Sequence, residues 1–248
     1  MSGKINSVIL GVAAVGAAAV LFGTYAQNVR FDRIEQRIAG LEASLQPEAL
    51  ESALRQAAAD RQAAQERLII SKFAAGIDAA IAGSGVPIVN AQSAGPAIHA
   101  VIDMSCPHCR TGRAQMMELA AAGKKIVTIP VGMLGEASRA AAISSLALGR
   151  ISQEASMSFI EKTFERGRPT GETVAQDLLA TLSTYGISLE AYTLAASSAV
   201  EDYDALMKFV ESAGVRGVPF YHRDGRAIFG ASSEIALRLG VSAEEAVR

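Results

Sequence analysis

The hydrophobic pattern begins with a long apolar run at the N-terminus. Residues 5–29 contain no charged side chain, and residues 5–22 are nearly all apolar. About 20 apolar residues are enough for a helix to cross a bilayer. We therefore expect residues 1–29 to form a transmembrane signal anchor, and Lys4 before it favours a cytoplasmic N-terminus. The alternatives are a cleaved signal peptide ending near residues 24–26 and a buried helix of a soluble protein.

A stripe of large apolar side chains follows on a charged, amphipathic segment. Spacings of three and four residues separate its members: Phe31, Ile34, Ile38, Leu41 and Leu45. This is the a/d spacing of a coiled coil, over about two heptads. A second helix is expected over residues 49–82, with Pro47 at its start. Residues 30–85 are therefore predicted to be a helical or coiled-coil stalk, either a solvated spacer or a self-association segment.

From residue 86 onward, strand-like and helix-like patterns follow one another. A strand, a helix and a second strand form an expected βαβ unit, and a long helical stretch and a hairpin come after it. The sequence thus predicts an α/β domain over residues 86–248 with a helical insertion at about 137–213. The predicted elements are strands at 97–103 and 124–130, helices at 110–122, 138–148, 152–165, 172–185, 188–197 and 200–212, a hairpin at 218–229 and a helix at 230–239.

Composition and charge restrict the possible functions. Half of the 248 residues are hydrophobic, and the formal net charge is -2 at pH 7. Because no run is rich in lysine and arginine, nucleic acid is not expected as a partner. The chain has only two cysteines, which is too few for a disulfide framework. Their importance is therefore expected to lie in their reactivity.

The two cysteines lie three residues apart in the tetrapeptide Cys106-Pro107-His108-Cys109. A strand that leads into a CxxC at the start of a helix is typical of thioredoxin-like redox motifs. At the helix N-terminus, unpaired N–H groups and the helix dipole favour the Cys106 thiolate, and a protonated His108 adds positive charge. Pro107 suits the first turn because its missing N–H is not needed there.

Two other interpretations of the cysteine pair remain open at this point. Half of a zinc site would need about two further ligands, but the sequence has no second CxxC and its other two histidines are not in a ligand-spaced pair. A purely structural disulfide is the other alternative. We favour a redox-active pair, and the sequence predicts neither a metal ion nor a cofactor.

Three motifs in order resemble those of the DsbA-like thiol–disulfide oxidoreductases, a branch of the thioredoxin superfamily. The first is the tetrapeptide at 106–109, which is the active-site sequence of the strongly oxidising members. The second is the strand-to-helix segment at 129–138. The third is the segment at 214–220, similar to the cis-proline loop, with Gly-Ala at 230–231 closing the hairpin. The resemblance covers about 86–240 and implies a thioredoxin fold with an inserted helical domain.

The resemblance also implies roles for individual residues. Cys106 would be the nucleophile that forms a mixed disulfide, and Cys109 the buried resolving thiol. His108 would stabilise the Cys106 thiolate. Val218-Pro219 would form a cis peptide bond packed against the disulfide, with the carbonyl before the proline free to pair with substrate; proline is the residue at which a cis bond is least unfavourable.

One segment departs from the family pattern. Where relatives often carry aromatic residues before the CxxC, this chain has Asp103-Met104-Ser105. Two roles are open for Asp103, a proton relay to Cys109 or a carboxylate that holds the loop. The departure also leaves open how apolar the substrate groove is.

The sequence predicts a thiol–disulfide oxidoreductase that introduces disulfides into exported proteins. The alternatives are an oligomeric disulfide isomerase or reductase and a non-catalytic, membrane-anchored assembly component. Expected partners are exported proteins with cysteine thiols, a membrane redox partner that resets the site and, where the stalk is a self-association segment, further copies of the chain. The anchor predicts a single-pass protein of the inner membrane, with its catalytic domain on the periplasmic side.

Overall fold

The computed structural model describes residues 33, 35–40 and 47–241, which divide into two compact units at Ala64 and Gln65. In the first unit, residues 33 and 35–40 are helical, and helix α1 (Pro47–Ile81) begins there. Of the predicted heptad positions only Ile38 is described, and its side chain is exposed. The other four heptad residues and the predicted anchor at 1–29 lie outside the described residues. None of the helices described is both long and apolar enough to cross a membrane.

The C-terminal part of helix α1 belongs to the core of the second unit. Three of its side chains, Ile69, Phe73 and Ile77, recur every four residues and are buried. This spacing places them on one face of the helix. The compact unit consequently begins at Gln65, whereas the sequence pattern placed the domain boundary at residue 86.

Five strands form one mixed sheet in the order β1-β3-β2-β4-β5. The β2–β3 pair is parallel and the other three pairs are antiparallel. The expected βαβ unit is present, and the short strand β1 at the edge was not predicted. The strands are β1 (Ile88–Val89), β2 (Ile98–Ile102), β3 (Ile126–Pro130), β4 (Phe220–Arg223) and β5 (Arg226–Phe229).

Helices cover both faces of the sheet, and strands β2 and β3 are therefore buried along their whole lengths. Alternate residues of β2 enter two hydrophobic clusters. Ile98, Ala100 and Ile102 join the cluster that contains Cys109, whereas Val101 joins the cluster that contains Phe73. The helices after α1 are α2 (Pro107–Ala121), α3 (Glu136–Ile151), α4 (Gln153–Glu165), α5 (Gly171–Thr184), α6 (Leu189–Ser212) and α7 (Ile235–Arg238).

Helices α3 to α6 lie between strands β3 and β4, where the sequence predicts a helical insertion, and two of the predicted helices have different limits. The expected helices at 188–197 and 200–212 form the single helix α6, because no glycine or proline interrupts residues 198–199. The hairpin turns at Asp224-Gly225, where both residues have positive φ (47° and 73°), as a two-residue type I′ turn requires. The last helix is shorter than expected and consists of the four residues of α7.

Two buried histidines lie opposite each other on neighbouring strands of the sheet. His99 of β2 pairs in register with His222 of β4, and their ring centroids are 5.8 Å apart. Phe73 packs against both rings, with centroid distances of 6.1 and 5.3 Å. Burial, helped by His222, lowers the pKa of His99 to about 4 against the opposing effect of Asp78. Burial also lowers the pKa of His222, against Asp224 and Asp78.

We expect this histidine pair to make the protein less stable in mild acid. The unfolded chain takes up a proton on His99 near pH 6.5, whereas the folded chain does so only near pH 4. The free energy of unfolding therefore has its full value above about pH 6.5 and decreases as the pH falls towards 4, by about 3 kcal/mol for His99 alone. Urea unfolding at pH 7 and pH 4.5 measures this loss.

The matched variants for this measurement are His99→Gln and His108→Gln. The first removes the buried titrating ring and should weaken the dependence of the urea midpoint on pH. The second removes an exposed ring and should leave that dependence as it is. Equal slopes in the wild type and His99→Gln would show that the buried pair does not control acid stability.

Candidate active site

Cys106 stands at the N-terminus of helix α2, directly beyond the carboxyl end of strand β2. It is the N-cap residue, with extended φ and ψ of -86° and 116°, and Pro107 occupies the first helical position. The Arg110 N–H donates to the Cys106 carbonyl over 3.2 Å and closes the first turn. Cys109 lies in that same turn, and both cysteines are free thiols with little exposed surface. This is the local arrangement that the sequence predicts for the pair.

The loop before Cys106 is held by a buried carboxylate. Asp103 is inaccessible to solvent. Its Oδ1 accepts the Ser105 N–H at 2.7 Å and its Oδ2 accepts the Leu134 N–H at 2.9 Å. The Ser138 hydroxyl donates to the Ser105 hydroxyl over 2.6 Å. Because both oxygens of Asp103 bind backbone, the geometry favours the loop-holding role over the proton relay.

The loop before strand β4 meets Cys106 from the other side. The Val218-Pro219 peptide bond is cis, as predicted. The Cys106 thiol lies 3.6 Å from the Val218 carbonyl oxygen, to which it can donate a weak hydrogen bond. The Pro219 carbonyl accepts the Gly230 N–H at 2.8 Å, which ties this loop to the end of strand β5. Residues more than 100 positions apart in sequence thus form one site around Cys106.

The two cysteines differ in their surroundings. Burial raises the pKa of the Cys109 thiol, and the neighbouring Cys106 and the carboxylate of Asp103 act in the same direction, although the Asp103 backbone opposes them. Pro107 and His108 are both exposed at the mouth of the site. The arrangement therefore presents one thiol close to the surface and retains the other as a neutral thiol beneath it.

Tyr221 is a neighbour of the site that the sequence interpretation missed. A cavity of about 20 Å³ behind Cys109 is lined by Tyr221, Thr128 and Cys109, among others. The Tyr221 hydroxyl is buried and has no hydrogen-bond partner within residues 47–241. It lies so close to helix α2 that a Cβ on Gly112 would be 2.0 Å from the oxygen. Burial, followed by the two cysteines, raises the pKa of Tyr221.

The position of Tyr221 follows from strand register. It pairs with Ala100 across β2 and β4 and therefore faces the same side of the sheet as helix α2. An alternating strand pattern at 220–223 would have given the side of the sheet but not the partner strand. The cavity behind Cys109 that Tyr221 lines is large enough for about one water molecule.

No protein-family model matches the chain, and a search of curated proteins gives no match either. Solved structures, in contrast, are similar over most of its length. The thiol–disulfide exchange protein α-DsbA2 of Wolbachia pipientis has 22% sequence identity and a TM-score of 0.61, covering 72% of this chain and 96% of that chain. BcfH of Salmonella enterica Typhimurium has 15% identity and a TM-score of 0.62, covering 88% of this chain and 96% of that chain.

A third neighbour is the catalytic domain of Proteus mirabilis ScsC, with 15% identity and a TM-score of 0.60, covering 72% of this chain and 99% of that domain. At such identities the similarity concerns the fold. The chain therefore has the thioredoxin-like fold that α-DsbA2, BcfH and the catalytic domain of ScsC share. The resemblance that the sequence motifs predicted is confirmed at this level.

Proposed function

We propose that the protein is a protein thiol–disulfide oxidoreductase that introduces disulfides into exported proteins through Cys106 and Cys109. The observation that carries this proposal is the position of Cys106. Its sulfur lies at a helix N-terminus and 3.6 Å from the Val218 carbonyl. A thiolate is the reactive form of cysteine, and unpaired helix N–H groups favour an anion there. The fold shared with thiol–disulfide exchange proteins supports the same assignment.

The reaction starts from the oxidised protein, in which Cys106 and Cys109 are joined. A substrate thiol loses its proton, and its sulfur attacks Cys106. A mixed disulfide forms as the Cys106–Cys109 bond breaks, and Cys109 leaves and takes up a proton. Since burial raises the pKa of Cys109, the released group stays a neutral thiol. It is then a poor nucleophile towards the mixed disulfide.

The second step completes the oxidation of the substrate. A second substrate thiol loses its proton and attacks the substrate sulfur in the mixed disulfide, and Cys106 leaves as a thiolate stabilised by the helix N-terminus and by His108. The substrate loses two electrons and gains one disulfide, and the protein gains the two electrons as a dithiol. Another oxidant must then reform the Cys106–Cys109 bond, and we assign this role to a membrane redox partner.

We further propose that the protein works outside the cytoplasm, anchored in the inner membrane by residues 1–29. The uncharged run at 5–29 supports this placement. Disulfides persist in the periplasm, where such a domain would meet newly exported chains. Membrane fractionation and protease protection of intact cells and spheroplasts test this part separately from the chemistry.

An oligomeric isomerase is the second candidate. The observation that favours it is a pair of exposed leucines in the first unit, Leu50 and Leu54, which lie four residues apart on helix α1 and are 51% and 58% exposed. Self-association would cover such side chains. Two or more catalytic domains on one stalk would suit the rearrangement of wrong disulfides.

One experiment separates the two activities. The full chain, oxidised at Cys106 and Cys109, is mixed with reduced ribonuclease to follow oxidation. The reduced chain is mixed with scrambled ribonuclease to follow isomerisation. For an oxidase we expect stoichiometric disulfide transfer and little recovery of scrambled ribonuclease. Efficient recovery that is lost in a Leu50→Glu, Leu54→Glu variant would favour the isomerase, and no disulfide transfer in either assay would contradict the proposed function.

A further inference from the structure

A groove of about 360 Å³ opens beside the nucleophile. Cys106 and Pro107 form one end of it, where helix α2 begins. Gly167 and Arg168, which lie between helices α4 and α5, form the opposite side. The groove thus lies between the thioredoxin-like part and the inserted helices. A polypeptide whose cysteine reacts with Cys106 would have its neighbouring residues within reach of this groove.

Two arginines face the groove without an ionic partner. Arg110 reaches across it from helix α2, because a Cβ on Gly167 would lie 3.2 Å from the Arg110 Nη1 atom. Arg168 follows directly on the far side. In the part of the chain that the structure describes, neither guanidinium is within ion-pair distance of a carboxylate.

The arginines nearest to these two in sequence, in contrast, form ion pairs with carboxylates. Arg113, one turn after Arg110, pairs with Glu161. Arg166 pairs with the buried carboxylate of Asp177 at 2.5 Å. Arg110 and Arg168 both line the groove, so a carboxylate bound there would meet two guanidinium groups.

Apart from Ser105, the other side chains of the groove are apolar. Met104 and Phe164 are buried and form its lining, and Leu134 contributes a side chain that is 47% exposed. A small thiol with carboxylates would use the charges but would leave the exposed side chain of Leu134 uncovered. A peptide segment with one acidic and one apolar residue near its cysteine uses both.

We propose that the groove selects substrate segments that carry an acidic side chain next to the reacting cysteine, with Arg110 and Arg168 as the specificity-determining residues. This inference rests on the proposed function, because the segment is positioned by its reaction with Cys106. The carboxylate pairs with the two guanidinium groups while an apolar neighbour contacts Leu134 and Phe164. Because the pairs are partly exposed to water, the preference is moderate and depends on salt.

The test uses the full chain in its oxidised form and three dithiol peptides that differ at one position beside the first cysteine, with Glu, Gln or Lys there. Second-order rate constants are measured at low salt. We expect the Glu peptide to react about five- to tenfold faster than the Gln peptide, and the Lys peptide more slowly than either. The ratio of Glu to Gln should decrease towards one at about 0.5 M salt.

The variants Arg110→Gln and Arg168→Gln should each reduce the ratio of Glu to Gln, and the double variant should bring it close to one. The ratio cancels any effect that a variant has on all peptides. Lys125→Gln is the matched control, since it removes a positive charge just before strand β3, at the end of the sheet opposite Cys106. The Lys125→Gln variant should have the same ratio of Glu-peptide to Gln-peptide rates as the wild type.

Several results would overturn the inference. These are equal rates for the Glu and Lys peptides at low salt, or an unchanged ratio in the double arginine variant. The inference would also be overturned if the small thiol glutathione reacted as fast as the Glu peptide and lost as much of its rate in the double variant. If none of the peptides is oxidised, the failure is that of the proposed function, because the Gln peptide needs no charge to react.

Discussion

Replacing Cys106 with serine is expected to reduce disulfide transfer to reduced ribonuclease about a thousandfold or more. A serine hydroxyl cannot form the mixed disulfide, and Cys109 cannot replace Cys106 because its side chain is only 1% exposed. Burial also raises the pKa of Cys109 and keeps it in the unreactive neutral form. The rate of substrate oxidation by the purified full chain measures this loss.

The matched variant is Cys109→Ser, which retains the nucleophile and removes the resolving thiol. It cannot form the intramolecular disulfide, so it also cannot oxidise substrate. It should instead accumulate mixed disulfides with added peptide disulfides, which mass spectrometry detects, and Cys106→Ser should form none. Mixed disulfides on Cys109 in the Cys106→Ser variant would reverse the proposed roles of the two cysteines.

The part of the site that lies close in sequence could be predicted from the sequence. A strand that leads into the tetrapeptide and proline at the first helical position are local signals, and the structure places Cys106 and Pro107 accordingly. The cis bond at Val218-Pro219 also agrees with expectation. That prediction came from a resemblance between motifs, because nothing local determines which turn of the chain approaches Cys106.

What the sequence did not reveal depends on contacts between distant segments. The pairing of His99 with His222 and the approach of Tyr221 to Gly112 follow from the register of β2 against β4. Hydrophobic periodicity gives the side of a strand but not its partner. The groove beside Cys106 likewise arises only when Arg168, from the inserted helices, lies across from helix α2.

Helix α1 is where local pattern and tertiary contact disagree most. Its sequence is rich in alanine, glutamine and arginine, which indicated a helical stalk as far as residue 85, either a spacer or a self-association segment. Phe73, however, is inaccessible to solvent. Its ring centroid lies 4.9 Å from that of Phe220 on strand β4 and 5.5 Å from that of Phe209 on helix α6. The apolar residues four positions apart on this helix, Ile69, Phe73 and Ile77, were the signal that could have moved the boundary.

Phe73→Ala is therefore expected to lower the free energy of unfolding by about 3–5 kcal/mol, since a buried phenylalanine leaves a cavity when it is truncated. Leu68→Ala is the matched control on the same helix. Its side chain is 49% exposed, so the change should stay within about 0.5 kcal/mol. Urea unfolding followed by circular dichroism measures both. Equal losses in the two variants would contradict the assignment of α1 to the core.

Deleting the helix tests the same contact on a larger scale. Removal of residues 1–64 should leave a folded unit, because the compact unit begins at Gln65. Removal of residues 1–85 also deletes Ile69, Phe73 and Ile77, whose burial is worth about 1.5–3 kcal/mol each. That loss is comparable with the whole stability of a typical domain, about 5–15 kcal/mol. We expect the 86–248 chain to lose its near-ultraviolet circular dichroism and its cooperative unfolding. Cooperative unfolding of the 86–248 chain would instead show that helix α1 is not needed for the core and belongs to the stalk.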